Sequence, residues 1–122
     1  EPEDVYKLKD KITDSLGELG IIKTRAKTIL ELASAFVNKE IDFNFCIHPE
    51  EEIKKLMKIS GIGNWTAQYI AMRAMGWTDA FLETDYGVKK ALPSYTPKEI
   101  LTLAEAWRPW RSYAVVNLWN SL

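Results

Sequence analysis

The sequence predicts an all-α fold. Apolar residues recur at three- and four-residue steps through most of the 122-residue chain. A helix-start signal stands ahead of nearly every such run: Thr24, Pro49, Asn64, Asp85, Thr96-Pro97 and Pro109. No stretch reads as a convincing β-hairpin. Ile41 to Phe45 alternates weakly but is too isolated to support a sheet.

Leu8, Ile12, Leu16 and Leu19 predict a first helix stopped at Gly20. Thr24 is expected to cap the second, whose apolar face carries Ala26, Ile29, Leu30, Ala33, Phe36 and Val37. Residues 39–48 have mixed composition and read as a loop. Pro49 suits a first helical position. Glu50, Glu51 and Glu52 favour the positive end of the helix dipole, and Lys54, Lys55 and Lys58 the negative end. That helix should end near Ser60-Gly61, and the next should run from Asn64, as its N-cap, to about Gly76. Asp85 is expected to cap a short helix ending before Pro93. Thr96-Pro97-Lys98-Glu99 fits a capping box, and Pro109 should open a last helix containing Val115, Val116, Leu118 and Trp119.

Composition narrows the chemistry. Hydrophobic residues are 47% and charged residues 27% of the chain, ordinary for one modest globular domain with a core. Cys46 is the sole cysteine and His48 the sole histidine, which excludes an internal disulfide, a cysteine-held iron–sulfur or zinc site and a histidine triad. No apolar run is long enough to span a membrane and no signal peptide is visible, so the cytoplasm is the default location. The formal net charge of −1 gives no global reason to expect nucleic acid. Such a partner must be recognised locally.

Gly61-Ile62-Gly63 supplies a local means. Two glycines between helical patterns permit a tight helix–turn–helix crossing, and a plain connector would use them so. The free N–H groups at the start of the Asn64 helix also suit an anion, with the Thr66 hydroxyl in the first turn. A phosphate contact of this kind needs no lysine. Trp65, Tyr69 and Met72 follow at helical steps along one face, the pattern of a core stripe or of a stacking wall. Asp85 reads as an N-cap worth roughly 1 kcal/mol, or as a carboxylate with chemistry to do. Asp79 and Glu83 read as generic loop acids.

"SGIGNWTAQYIAMRA", "FLETDYGVKKAL" and "AWRPWRSYAVVNLW" together resemble the superfamily of DNA glycosylases named for a helix–hairpin–helix, a Gly/Pro-rich loop and an aspartate (HhH-GPD). Within it the chain is most similar to the bacterial 3-methyladenine DNA glycosylase II family, and "IIKTRAKTILELASAF" extends the likeness back to about Gly20. Ser60 stands where that family usually has proline, and Glu83 stands just before the aspartate, where proline or another residue is often found. The resemblance implies that residues 1–122 are a C-terminal helical part, with the hairpin over about 50–76. The upstream helices and an N-terminal domain would lie elsewhere in a longer protein.

The rest follows from the resemblance. It implies a monofunctional enzyme of base-excision repair that hydrolyses the N-glycosidic bond of alkylated purines in double-stranded DNA. Asp85 matches the catalytic aspartate. Trp65, Tyr69 and Trp119 match walls of the pocket for the extruded base. Gly61, Gly63 and Thr66 would meet DNA phosphate, and carbonyls of Met57, Ile59 and Ile62 would hold a Na⁺ or K⁺ ion; no cofactor is required. Trp65 replaces the lysine of the lyase-competent branches, so no Schiff base forms there. Trp107 and Trp110 are expected to pack the C-terminal helices. Arg111 is expected to pair near the active-site loop, with a phosphate contact as its other reading, and Lys89 and Lys90 are expected to be solvated or to meet the DNA backbone. The intact enzyme is expected to be a monomer on the bacterial nucleoid, and this stretch alone inactive and prone to self-association. The alternatives are another monofunctional glycosylase of the superfamily, or a non-catalytic helix–hairpin–helix DNA-binding module, which would not need Asp85.

Overall fold

The computed structural model describes residues 1–44 and 48–122. Cys46 and the end of the weakly alternating stretch 41–45 lie outside the described residues. The described elements are all helices: α1 Pro2–Lys7, α2 Ile12–Gly17, α3 Lys23–Val37, α4 Pro49–Met57, α5 Asn64–Arg73, α6 Tyr86–Ala91, α7 Pro97–Glu105 and α8 Arg111–Asn120. They fall into two units, Glu1–Gly63 and Asn64–Leu122. Among the described residues no helix is long and apolar enough to cross a membrane.

In the first unit, α1 and α2 both pack on α3. The single first helix expected through Leu8 and Leu19 is instead two short ones, broken over residues 8–11. Leu8 and Leu19, the two ends of the expected stripe, are exposed, so no burial at those ends holds one continuous helix together. The N-cap of α3 is Ile22, with extended backbone, so Thr24 lies one residue inside the helix and does not cap it. Ala26, Ala33 and Ala35 are buried along α3. Ile29, Leu30, Phe36 and Val37 of the expected face are half-buried. In α4, Pro49 and three glutamates open the helix and lysines close it, as the dipole argument requires. Ile53 and Leu56 turn inward.

The second unit is stitched by α8. Its first residues carry a polar grip on the segment that follows α5. Ser112 N–H donates to the Thr78 carbonyl at 2.8 Å, which satisfies one of the free donors of a helix start. Ser112 Oγ donates to the Trp77 carbonyl and accepts the Ala80 N–H. Farther along α8, Val115 is fully buried and the helix packs on α6, whose Val88 is also fully buried. Pro109 does not open this helix: it starts two residues later, at Arg111 with Trp110 as N-cap. The capping box at Thr96 and Glu99 forms as read, with Pro97 in the first turn of α7. Trp107 meets Phe81 edge-on, centroids 6.2 Å apart. Trp110, expected to pack, is 57% exposed and touches Tyr113.

Candidate active site

Three residues singled out in the sequence converge in the second unit: Trp65, Asp85 and Trp119. Asp85 is the N-cap of α6, and its Oδ1 accepts the Val88 N–H at 2.9 Å. The same oxygen accepts Trp119 Nε1–H at 2.8 Å. Oδ2 accepts Trp65 Nε1–H at 3.2 Å. The cap reading and the convergence of aromatic residues therefore describe one carboxylate at once.

Its protonation follows from these contacts. Burial pushes the Asp85 carboxyl up. The N–H groups of Trp119, Val88, Trp65 and Gly87 outweigh that push and hold it below its ordinary value. Among the described residues no lysine or arginine pairs with it. Neutral dipoles thus stabilise the anion without cancelling its charge. Oδ2, with one bond to Trp65, keeps room for a further donor.

Trp65, Tyr69 and Arg73 stand one helical turn apart on α5 and form a column. The Trp65 and Tyr69 rings stack with centroids 5.1 Å apart and 9° between planes. The Arg73 guanidinium lies 5.8 Å from the Tyr69 centroid. Tyr69 is the middle of the column, and Trp65, at its end, is 38% exposed. Met72, the third member of the sequence stripe, is buried core.

The hairpin glycines belong to the first unit. Gly61 has φ +92°, and a Cβ there would collide with Thr28 Oγ1, which donates to the Ser60 carbonyl at 2.7 Å. Only glycine meets both conditions. Gly63 meets neither: its φ is not positive and a Cβ would find open space. The two glycines, read together from the sequence, thus have separate reasons. Met57 ends α4, and the Ile59 carbonyl accepts the Ile62 N–H at 3.1 Å. Thr66 is half-buried in the first turn of α5.

No family model matches the chain. Among curated proteins it is similar to DNA-3-methyladenine glycosylase 2 of Escherichia coli (strain K12), 38% identical over 105 residues, 86% of this chain and 37% of that protein. DNA-3-methyladenine glycosylase of Bacillus subtilis (strain 168) is 31% identical over 128 residues, 99% of this chain and 39% of that protein. The chain is related to the DNA-3-methyladenine glycosylases. A probable bifunctional transcriptional activator/DNA repair enzyme AlkA of Mycobacterium tuberculosis (strain ATCC 25618 / H37Rv) is 36% identical over 110 residues, 87% of this chain and 22% of that protein. The chain therefore spans well under half the length of these relatives.

Two residues of this glycosylase relative carry more than the sequence suggested. Asp79, read as a generic loop acid, is buried and accepts Arg111 Nε at 2.7 Å and Arg108 Nη1 at 2.6 Å. Burial pushes its carboxyl up, but bonds and charge from Arg111 and then Arg108 hold it below the ordinary range. Arg111 also donates to the Asp79 carbonyl, so it pairs as expected and braces the chain just upstream of Asp85. Gly87 sits against both Trp119 and Asp85. No local pattern marks either residue, because their partners are 32 residues away in one case and on another helix in the other.

Proposed function

We propose that the chain is the Asp85-bearing part of a monofunctional DNA glycosylase that hydrolyses the N-glycosidic bond of alkylated purines in double-stranded DNA. The observation that carries this reading is the Asp85 carboxylate, held below its ordinary pKa by two indole N–H groups and a helix N-terminus, with no lysine or arginine paired to it among the described residues. The names of the relatives supply the substrate class.

Base release leaves positive charge on the sugar. A fixed anion in a water-poor site stabilises that charge, and a contact of this kind is worth roughly 3–4 kcal/mol. The free capacity of Oδ2 suits the attacking water, whose proton the carboxylate can accept. Trp65, partly exposed at the end of its column, is the side chain on which we place stacking of the extruded base, worth roughly 1–3 kcal/mol. An alkylated purine that carries positive charge gains a further 0.5–2 kcal/mol, roughly, from an electron-rich ring. Tyr69 backs Trp65, and Trp119 turns its N–H edge to the carboxylate. Trp65 itself has no amine, so water is the nucleophile.

Gly61, Gly63 and Thr66 are assigned to DNA phosphate through backbone N–H groups and one hydroxyl. Carbonyls of Met57, Ile59 and Ile62 suit a monovalent cation. They are neutral oxygens, and that of Ile59 retains a lone pair beside its bond to Ile62.

The test is single-turnover excision of 3-methyladenine or 7-methylguanine from duplex DNA by the intact protein. Asp85→Asn keeps the shape of the side chain and removes its charge, so damaged-base binding should survive. Release should slow roughly a hundred- to a thousandfold. Near-normal release by Asp85→Asn would assign the chemistry to another residue. Binding without any release by the unaltered protein would favour the non-catalytic module.

A further inference from the structure

Gly87 is the second residue of α6, and its backbone does not ask for glycine: its φ is not in the left-handed region. Within a helix glycine is disfavoured relative to alanine. The reason for it lies in what surrounds it. A Cβ on Gly87 would stand 2.6 Å from Trp119 Cδ1, 2.8 Å from Trp119 Nε1 and 3.0 Å from Asp85 Oδ1. The pyrrole edge of the indole occupies the place of that side chain and points its N–H at the carboxylate from there.

We infer that Gly87 is a positioning residue: its missing side chain is the gap through which Trp119 reaches Asp85. Any side chain at 87 must move the indole or move α6. Moving the indole breaks the bond from Trp119 Nε1 to Oδ1. Moving α6 displaces Val88, which is fully buried and whose N–H holds the same oxygen. On either path Asp85 loses a donor and its fixed orientation. The structural part of the inference stands on geometry alone; its catalytic consequence rests on the function proposed above.

The experiment compares Gly87→Ala, Trp119→Phe and the double variant in the intact protein, with Gly17→Ala as control, since a Cβ at Gly17 meets nothing. Two readouts do not depend on turnover: the indole N–H resonance of Trp119 and the titration of the Asp85 carboxyl followed by carbon NMR. Gly87→Ala should shift the indole resonance and raise the Asp85 titration, as Trp119→Phe raises it. The double variant should titrate like Trp119→Phe alone. Excision should fall on the order of a hundredfold in Gly87→Ala, the cost of a group misplaced by about 1 Å, and stay unchanged in Gly17→Ala. An unmoved indole resonance and titration in Gly87→Ala, or additive effects in the double variant, would overturn the inference. Should Gly87→Ala fail to fold, recovery of folding by Trp119→Ala, which removes both Cδ1 and Nε1, supports the inference, and failure to recover counts against it. A protein with no excision activity at all sinks the proposed function, while the titrations still decide the role of Gly87.

Discussion

The indole of Trp119 and the carboxylate of Asp85 are 34 residues apart in the chain and 2.8 Å apart in space. The bond joins the last turn of α8 to the cap of α6. It makes one residue at once a structural cap and an oriented, charged group, and it leads to predictions about both properties.

Trp119→Phe should move the acid limb of the excision pH profile upward. Loss of the Nε1–H donor removes one of the groups that hold the Asp85 carboxyl low, so it climbs toward the ordinary carboxylate range. At neutral pH the group stays ionised in both proteins, and any loss there measures orientation. A limb that does not move would mean that Val88 and Trp65 suffice.

Acid should unfold the second unit through Asp79 and Asp85. Both carboxyls are depressed in the folded chain. Their contribution is complete above the unfolded value of about 3.9, and is lost as pH falls through the folded values. Urea midpoints should therefore be flat from pH 7 to about 5 and drop below about pH 4. Asp79→Asn should flatten the low-pH drop; an unchanged pH slope in that variant would remove Asp79 from the account.

Arg111→Ala should destabilise the chain by less than the roughly 3–5 kcal/mol of a stranded buried charge, because Arg108 still holds Asp79 Oδ2 while Oδ1 and the Asp79 carbonyl lose their donors. Arg111→Lys should recover only part of this, since one ammonium cannot replace the Nε and Nη2 pair of donors to Asp79. Thermal melts of the two variants read the difference.

The hairpin glycines should separate. Gly61→Ala should cost about 1–3 kcal/mol through its positive φ, with the collision against Thr28 in addition. Gly63→Val has no clash to pay and should leave the melt nearly unchanged. DNA affinity at fixed salt should nevertheless fall in Gly63→Val if backbone N–H groups there meet phosphate. Unchanged affinity would sink the phosphate assignment of Gly63.

Much of the fold was legible because its signals are local. The Thr96–Glu99 capping box, the proline and glutamates of α4 and the Asp85 cap each act within one helical turn, and each formed as read. The single first helix does not form because regular apolar spacing does not tell whether a stripe finds a partner, and Leu8 and Leu19 at its ends are exposed. Burial of Trp110 was misjudged because large size does not tell which side of a helix start faces solvent. At the site, the family resemblance puts Trp65, Trp119 and Asp85 about one pocket. Composition and spacing alone do not, because their meeting depends on how α5, α6 and α8 pack. Asp79 and Gly87 escaped for the same reason: one looks like any loop acid, and the other is defined by the space it leaves empty.

Ser112 and Trp119 are seven residues apart on α8, nearly two turns, so they share a face and stand about 10 Å from each other along the axis. Ser112 holds the chain at Trp77, Thr78 and Ala80, and Trp119 holds it at Asp85. The helix is a rigid ruler laid along the connecting segment, and both ends of the segment are pinned to its marks. Phe81 and Leu82 of that segment are buried, so only Glu83 and Thr84 are free to change in kind. One residue inserted or deleted there would carry the carboxylate past its mark, so those two positions should tolerate substitution during divergence while the segment resists any change of length.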